Sequence, residues 1–417
     1  MKRHPVIIPL VRWIIALTFI FSGFIKAVDP WGTAIKLGEY FSAFGMTWLS
    51  GTRYLIGVAL PMFELTLGLC LLFRIRERGA ARWAFILMGF FTLLSLVLVI
   101  WNPVADCGCF GDFVKLSNGQ TFVKNIILLT LATLLWRYTR KESPRQYDKH
   151  ADVEEWSMVL LFTLFSAGIG CYSLRHLPVF DFLPYHRGVN ISRQMPGEAS
   201  ETITTLIYRD RTTGKEHQFA LTDTTWYDSL RWEYVDTHVT ERKQAQATTT
   251  LDFALFDSTG NRTAELLAER DLFIITLTDT EQPLPEACRK RLEEVASYAA
   301  RNEYKIVCAT PSTLPADGRI AFGTARIPAY NIDGTTLKTL IRAKNGLVLL
   351  HEGTLLEKWN CRDIPDFKGK YSTLTPLEAV IEQDDRCQKS WVLGVLIAGV
   401  LLVGGGYSIF RRKSHHR

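Results

Sequence analysis

The sequence contains no Cys-x-x-Cys, no repeat of fixed period and no low-complexity tract. The first absence removes the commonest spacing of a catalytic dithiol at a helix N-terminus, and the others exclude solenoid and disordered repeat chains. No His and no further Cys lies near Cys107 and Cys109, and a metal site needs about four ligands, so no metal is expected. The net charge of +6 comes from 48 Lys and Arg against 42 Asp and Glu, with the basic residues clustered beside apolar runs. That placement is a topology signal and gives a nucleic-acid partner little to rest on. The first apolar run follows Lys2, Arg3 and His4, but it is too long for a signal peptide and no small-x-small site follows. A retained helix is expected there.

What the sequence has in abundance is apolar length at its two ends. A bilayer core of roughly 30 Å needs about 20 helical residues. Runs of that size are predicted at Val6 to Val28, Tyr54 to Phe73, Trp83 to Trp101, Thr121 to Trp136, Trp156 to Leu174 and Trp391 to Phe410. Arg74, Arg76, Arg78 and Arg82 fall between the second and third runs, and Arg137, Arg140, Lys141, Arg145 and Lys149 between the fourth and fifth. Arg411, Arg412, Lys413 and Arg417 follow the sixth. With six spans, these groups and the N-terminus share one side, expected to be the cytoplasm. The Cys-Gly-Cys loop and the large segment from Arg175 to Lys389 then face the periplasm, where disulfides persist. The expected location is the inner membrane of a bacterium, with lipid on the bundle and both termini cytoplasmic.

In the large segment, LPVFDFLPYHRGVNI lacks a helical period and predicts an extended lead-in along the surface. A small β-rich piece follows to about Leu266, with Thr213-Gly214 as a hairpin turn. From Arg270 the pattern is strand LFIITL, helix Leu284 to Asn302, strand YKIVCAT, a helix, a hairpin around Glu352-Gly353 and a helix near Thr375 to Gln383. This order resembles a thioredoxin-like domain. That family carries Cys-x-x-Cys at the start of the first long helix, where this chain reads TDTEQPLPEAC, so a domain that binds or scaffolds is expected. Cys288 and Cys308 are expected as core residues or a structural pair; the pairing of Cys288, Cys308, Cys361 and Cys387 is open. The fold class is then a membrane all-α helical bundle, four helices plus two further spans, with an outer α/β thioredoxin-like domain preceded by a β-rich segment. The expected boundaries are 1–140 for the four-helix unit, 155–175 for the fifth helix, 176–266 for the β-rich segment, 267–388 for the α/β domain and 389–411 for the last helix.

The stretch DCGCFGDF, Asp106 to Phe113, holds the closely spaced dithiol. Residues i and i+2 have Cα atoms about 5.5–7 Å apart, and disulfides favour about 4.4–6.8 Å, so a bridge is tight but feasible. Gly108 supplies backbone freedom, and strain in so small a ring makes the bond labile. Redox activity of Cys107 and Cys109 and a structural disulfide are both open; Asp106 and Asp112 oppose a thiolate. Glu64 lies near the bilayer middle and must face the bundle, paired or protonated. Lys26 and Lys124, near the outer ends of their spans, can snorkel outward or reach Glu64. The three are either a buried structural ion pair or a proton or quinone site beneath the loop.

The membrane unit resembles the DoxX-like family, and specifically its MauE (methylamine utilisation) branch. The matching residues are FSGFIKAVDPWGTAIKLGEY (Phe21 to Tyr40), FELTLGL (Phe63 to Leu69), CGCFGD (Cys107 to Asp112) and FVKN (Phe122 to Asn125), with the later LPVFDFLPY and tail similar to the extended form common in Bacteroidetes. The resemblance implies a four-helix bundle with redox chemistry at its outer face, assistance in maturing disulfide-bearing partners, and coupling to a quinone. The expected function is thiol-disulfide exchange between a periplasmic thiol or disulfide protein and a membrane acceptor, a quinone, through Cys107 and Cys109. The alternative is a non-catalytic scaffold or assembly factor that binds a periplasmic partner. A transporter would draw only on the intramembrane charges, and no inverted repeat supports it.

Overall fold

The structure, a computed structural model, describes residues 7–104, 107–114, 116–141, 149–195, 200–211, 216–220, 232–243, 251–383 and 386–414. The membrane unit begins with α1 (Ile7–Val28), α2 (Pro30–Ala43), a short 3-10 turn (Thr47–Thr52) and α3 (Arg53–Phe73), and continues with α4 (Glu77–Trp101), α5 (Asn118–Lys141) and α6 (Lys149–Arg175). Among the described residues, five helical segments are long and apolar enough to cross a membrane: α1, the 3-10 turn with α3, α4, α5 and the Asp152–Arg175 part of α6. The C-terminal run expected as a sixth span forms the shorter apolar stretch Trp391–Tyr407 within the last helix.

Small residues set the closest helix contact. A Cβ on Gly23 would stand 2.5 Å from the Leu65 nitrogen, and one on Gly68 would stand 2.7 Å from the Ile20 nitrogen and 2.9 Å from the Ala16 carbonyl. Lipid tails give helices no hydrophobic reason to associate, so backbone approach through glycine maximises dispersion contact instead. This approach presses α1 against α3. At the end opposite the α/β domain, Arg12 pairs with Glu77 at 3.2 Å and Arg76 with Asp152 at 2.6 Å, linking α1 to α4 and α4 to α6.

The segment after α1, between the first two expected spans, contains α2. Its start is written in Asp29-Pro30: the Asp29 side chain accepts from the Gly32 N–H at 2.8 Å, and proline, lacking an N–H, suits the first helical position.

Beyond α6 and the one-turn α7 (Ile191–Gln194), β1 (Ser200–Asp210), β2 (Glu216–Ala220) and β3 (Trp232–Lys243) form an antiparallel sheet in the order β2-β1-β3. The expected Thr213-Gly214 turn lies outside the described residues. The main sheet contains β4 (Phe256–Asp257), β5 (Gly260–Asn261), then, after α8 (Thr263–Leu267), β6 (Asp271–Leu277), and, after α9 (Glu286–Arg301), β7 (Lys305–Thr310), β8 (Arg319–Phe322) and β9 (Ala325–Asn331). After α10 (Gly334–Leu340) come β10 (Asn345–His351) and β11 (Thr354–Asn360), then α11 (Pro376–Gln383) and α12 (Arg386–Ser414). The order across the sheet is β11-β10-β6-β7-β9-β4-β5, with β8 on β9; β6, β7 and β9 run parallel and β10 antiparallel to β6. The β10–β11 hairpin turns at Glu352 and Gly353, where the sequence places it; both have positive φ, 47° and 71°, as a tight two-residue turn requires.

The unbroken apolar run of β6 reflects a strand covered on both faces. Phe273, Ile275 and Leu277 join Leu347 and Leu349 under α9 and α11, while Leu272 and Ile274 join Val348 and Leu350 over α8 and α10. The α9 face Leu292, Val295, Ala296 and Ala299 is buried as its spacing predicts.

Two expectations need correction. The lead-in does not lie on the surface: Leu183 is buried, and Tyr185, Val189 and Ile191 enter the core on the α8 and α10 side of the main sheet. Its backbone pairs with the hairpin, Leu355 N–H donating to Val189 O at 2.8 Å and Ile191 N–H to Gly353 O at 2.8 Å, so the alternation of apolar residues outweighs the prolines. Cys288 is buried as expected, but its partner is Cys361 rather than Cys308; Cys288 and Cys361 stand at disulfide distance, with Cα atoms 5.3 Å apart. Cys308 on β7 is a fully buried free thiol, pushed up to about 12 by that burial, and the side chain of Cys387 lies outside the described residues.

Candidate functional site

Between α4 and α5 the chain makes the Cys107-Gly108-Cys109 turn. The approach is fixed by Asn118 at the start of α5, whose amide donates to Asn102 Oδ1 at 2.8 Å and to the Val104 carbonyl at 3.0 Å. Gly108 has φ +65°, and a Cβ there would stand 2.9 Å from the Lys36 stem, so glycine is required by both angle and space. Gly111 N–H closes the turn onto Gly108 O at 3.1 Å.

The two sulfur atoms face each other, Sγ to Sγ 3.1 Å. Cys107 is buried and Cys109 half-buried. The Cys107 carbonyl accepts from the Tyr40 hydroxyl of α2 at 3.0 Å. The Ser22 hydroxyl of α1 lies 2.8 Å from the Cys109 carbonyl and 2.8 Å from Glu64 Oε2; its single hydrogen serves one of them at a time. Lys26, one helical turn after Ser22 on the same face of α1, reaches both Glu64 oxygens at 2.8 and 3.0 Å. Lys26 is 5% exposed and Glu64 0%, so the pair replaces lost hydration with two short charge-assisted hydrogen bonds. The tight α1–α3 approach through Gly23 and Gly68 brings the polar groups of the two helices within reach.

Lys124 does not pair with Glu64. Its ammonium sits over the Phe110 ring, 4.7 Å from the centroid, near Cys109. The two thiols share one hydrogen bond and diverge. Cys109 is lowered to about 6, first because the Cys107 thiol donates to it, then because Lys124 and Lys26 favour its thiolate against the opposing effect of burial. Cys107 is pushed well above the ordinary thiol range, first by that hydrogen bond and then by burial. The shared hydrogen bond thus sets a thiol that ionises more readily beside one that holds its proton.

Asp112, expected to oppose a thiolate, is ion-paired with Arg342 of the α/β domain. Asp106 lies outside the described residues. Phe110 and Phe113 meet Phe21 of α1 at centroid distances of 5.5 and 5.7 Å, giving the turn an apolar seat. Cys107, Cys109, Glu64 and Lys26 therefore converge, with Lys124 alongside. Ser22, Lys36, Tyr40 and Arg342 were missed. The first three had a signal in the four-residue spacings Ser22–Lys26 and Lys36–Tyr40, which place each pair on one helix face. Arg342 had none.

Along the start of α5, Gly119, Gln120, Val123, Lys124, Ile127 and Leu128 line an apolar hollow of about 620 Å³. A polar cavity of about 130 Å³ lies at the junction with the α/β domain, lined among others by Tyr172, His176, Asp181, Arg187, Arg342 and Lys358. Among the described residues, no group of three or more His, Cys, Asp or Glu is placed to hold a metal ion.

No curated protein and no solved structure matches the chain. Residues 4–138 match the family model described as methylamine utilisation protein MauE. The span matched contains α1 to α4, nearly all of α5, and the Cys-Gly-Cys turn between them, so the first third of this chain is a MauE-like membrane unit, and the mixed-sheet α/β domain is attached to it.

Proposed function

We propose that the protein exchanges thiols and disulfides at the outer face of a bacterial inner membrane, through Cys107 and Cys109. The observation that carries this reading is the pair of sulfurs 3.1 Å apart in a turn whose carbonyls are held by Tyr40 and Ser22. Cys109 thiolate attacks one sulfur of a partner disulfide, forming a mixed disulfide and releasing the partner's other sulfur as a thiolate, which takes a proton. Cys107 then gives up its proton and attacks the Cys109 sulfur, releasing the partner's second thiolate. Two electrons pass to the partner and a Cys107–Cys109 disulfide remains; the reverse sequence oxidises a partner dithiol. Lys26 and Lys124 stabilise the Cys109 thiolate, and the Lys26–Glu64–Ser22 chain stands beneath it as a path for the proton.

The residues around α5 fit a lipid-soluble acceptor of the quinone class. Val123, Ile127 and Leu128 would hold its apolar part and Gln120 and Lys124 its polar end. When bound, such a group supplies a two-electron, two-proton sink.

The test uses the reduced full-length protein in lipid nanodiscs with a small aromatic disulfide. Wild type releases two equivalents of aromatic thiolate and ends with a Cys107–Cys109 bridge. Cys107→Ala releases one and keeps the adduct, and Cys109→Ala is slow. Equal rates in all three proteins would refute the reading.

The rival is an assembly factor with structural cysteines. It is favoured by one observation: Cys288, the cysteine of α9, faces Cys361, leaving that domain no dithiol at its first helix. In that case the Cys107–Cys109 pair is inert to the aromatic disulfide.

A further inference from the structure

Arg342 follows α10 in the α/β domain, yet its guanidinium is buried against the membrane unit, with 5% of the residue exposed. Nε donates to Asp29 Oδ2 at 3.0 Å, a second nitrogen bonds Asp112, and Nη1 donates back to the Lys338 carbonyl at 2.7 Å. Asp29 caps α2, the helix that carries Lys36 against Gly108 and Tyr40 against the Cys107 carbonyl. Asp112 stands three residues beyond Cys109. One guanidinium therefore joins the two segments that frame the dithiol. An independent contact supports the same docking: Phe113 meets Phe182 of the lead-in edge to face, with centroids 5.0 Å apart, and the neighbouring Asp181 pairs with Lys358 of β11.

We propose that Arg342 is a positioning residue for the dithiol: by neutralising Asp112 and holding the turn to α2, it lets the α/β domain set the reactivity of sulfurs that the membrane unit carries. This rests on the thiol-disulfide reading above. Among the described residues, the charged or titratable groups around the turn are Lys26 on α1, Asp29 at the start of α2, Lys36, Glu39 and Tyr40 on α2, Glu64 on α3, Lys124 on α5, and Cys107 and Asp112 in the turn itself. Lys36 is already paired with Glu39 at 2.8 Å and Lys26 with Glu64, so neither is free to answer Asp112. Without Arg342, an uncompensated carboxylate would stand in the turn three residues from Cys109, where a negative charge disfavours a second one nearby. A carboxylate left without its partner at a half-buried site has little water to replace it.

The experiment measures iodoacetamide alkylation of Cys109 from pH 5 to 9, and the dithiol–disulfide equilibrium in glutathione buffers, on the reduced full chain in nanodiscs. The proteins are wild type, Arg342→Gln, Arg342→Lys, Asp112→Asn and the double variant Asp112→Asn/Arg342→Gln. Arg342→Gln is expected to move the alkylation profile to higher pH and cut the rate at pH 7 at least threefold. Arg342→Lys should recover part of that rate, and the double variant should return to wild-type behaviour because the opposing carboxylate is gone. Asp112→Asn alone should be at least as reactive as wild type, which keeps the test informative if Arg342→Gln does not fold. The proposal is overturned if Arg342→Gln matches wild type, or if Asp112→Asn slows alkylation and the double variant is not rescued, the pattern of a clasp that only holds structure. Failure of wild type to form the Cys107–Cys109 bridge in glutathione buffer would instead remove the thiol-disulfide reading itself.

Discussion

Lys26 and Glu64 meet across the α1–α3 contact with Nζ 2.8 Å from Oε1, and the Ser22 hydroxyl stands between Glu64 and the carbonyl of Cys109, 2.8 Å from each. A charge pair at this depth is costly to half-remove, since the orphaned partner keeps its desolvation penalty of about 3–5 kcal/mol. Glu64→Gln still offers the Lys26 ammonium an acceptor oxygen, which limits that cost, but it cannot take up and release a proton. Glu64→Gln, which retains the shape and one hydrogen-bond acceptor, is expected to stay in the membrane at near wild-type level and lose at least tenfold in thiol-disulfide turnover. Quantitative blotting of membranes and the aromatic-disulfide assay check both halves; unchanged turnover would leave the pair with a structural role only.

Reactivity of Cys109 should follow its thiolate. With the thiol lowered to about 6, the thiolate predominates above that pH, so alkylation of the reduced protein should rise between pH 5 and 7 and level off, rather than climb through pH 9. Cys107→Ala removes the donated hydrogen bond, the first cause of the lowering, and should move the midpoint upward. The measurement is a pH–rate profile by mass spectrometry of the Cys109 peptide.

At Gly108, alanine meets both a positive φ and the Lys36 stem. The expected cost is about 1–2 kcal/mol against the native turn, a five- to thirtyfold loss in the equilibrium constant for closing the Cys107–Cys109 bridge. Glutathione-buffer titration reads it directly. Gly119→Ala, at a position with open space on all sides, should change nothing and serves as the control.

The Cys288–Cys361 pair closes a sequence separation of 73 residues in the α/β domain. Chain-entropy reasoning assigns such a link about 4 kcal/mol. Cys288→Ala/Cys361→Ala should therefore lower the thermal midpoint of the full chain's α/β domain, while alkylation at Cys109 keeps its pH profile at temperatures where that domain stays folded. Loss of Cys109 reactivity under those conditions would mean that the two sites are coupled chemically.

The first five apolar runs, the strand β6, the face of α9 and the β10–β11 turn were legible because each depends on local periodicity or on a turn chemistry with few solutions. That Glu64 faces the bundle was legible because an unpaired charge in hydrocarbon is so unfavourable that its direction is nearly forced; that Lys26 and not Lys124 meets it was not. Helix α2 was written in Asp29-Pro30, but at 14 residues it is too short to register as a span. The burial of the lead-in and the Cys288–Cys361 pairing depend on which distant strands meet, and the Arg342 bridge to Asp112 spans 230 positions of sequence. No pattern of period 2 or 3.6 records such contacts.

The most direct measurement traps thiols in intact cells with a mass-tagged alkylating reagent, with and without quinone depletion, and reads Cys107 and Cys109 separately from Cys70, Cys171, Cys308 and Cys387. The expected result is a Cys107–Cys109 bridge populated in normal cells and shifting to the dithiol when quinone is depleted, or the reverse if electrons run the other way, with Cys109→Ala abolishing the shift. A pair that holds one redox state under both conditions and resists mild reductant would contradict turnover and leave the turn as a structural element of the membrane unit.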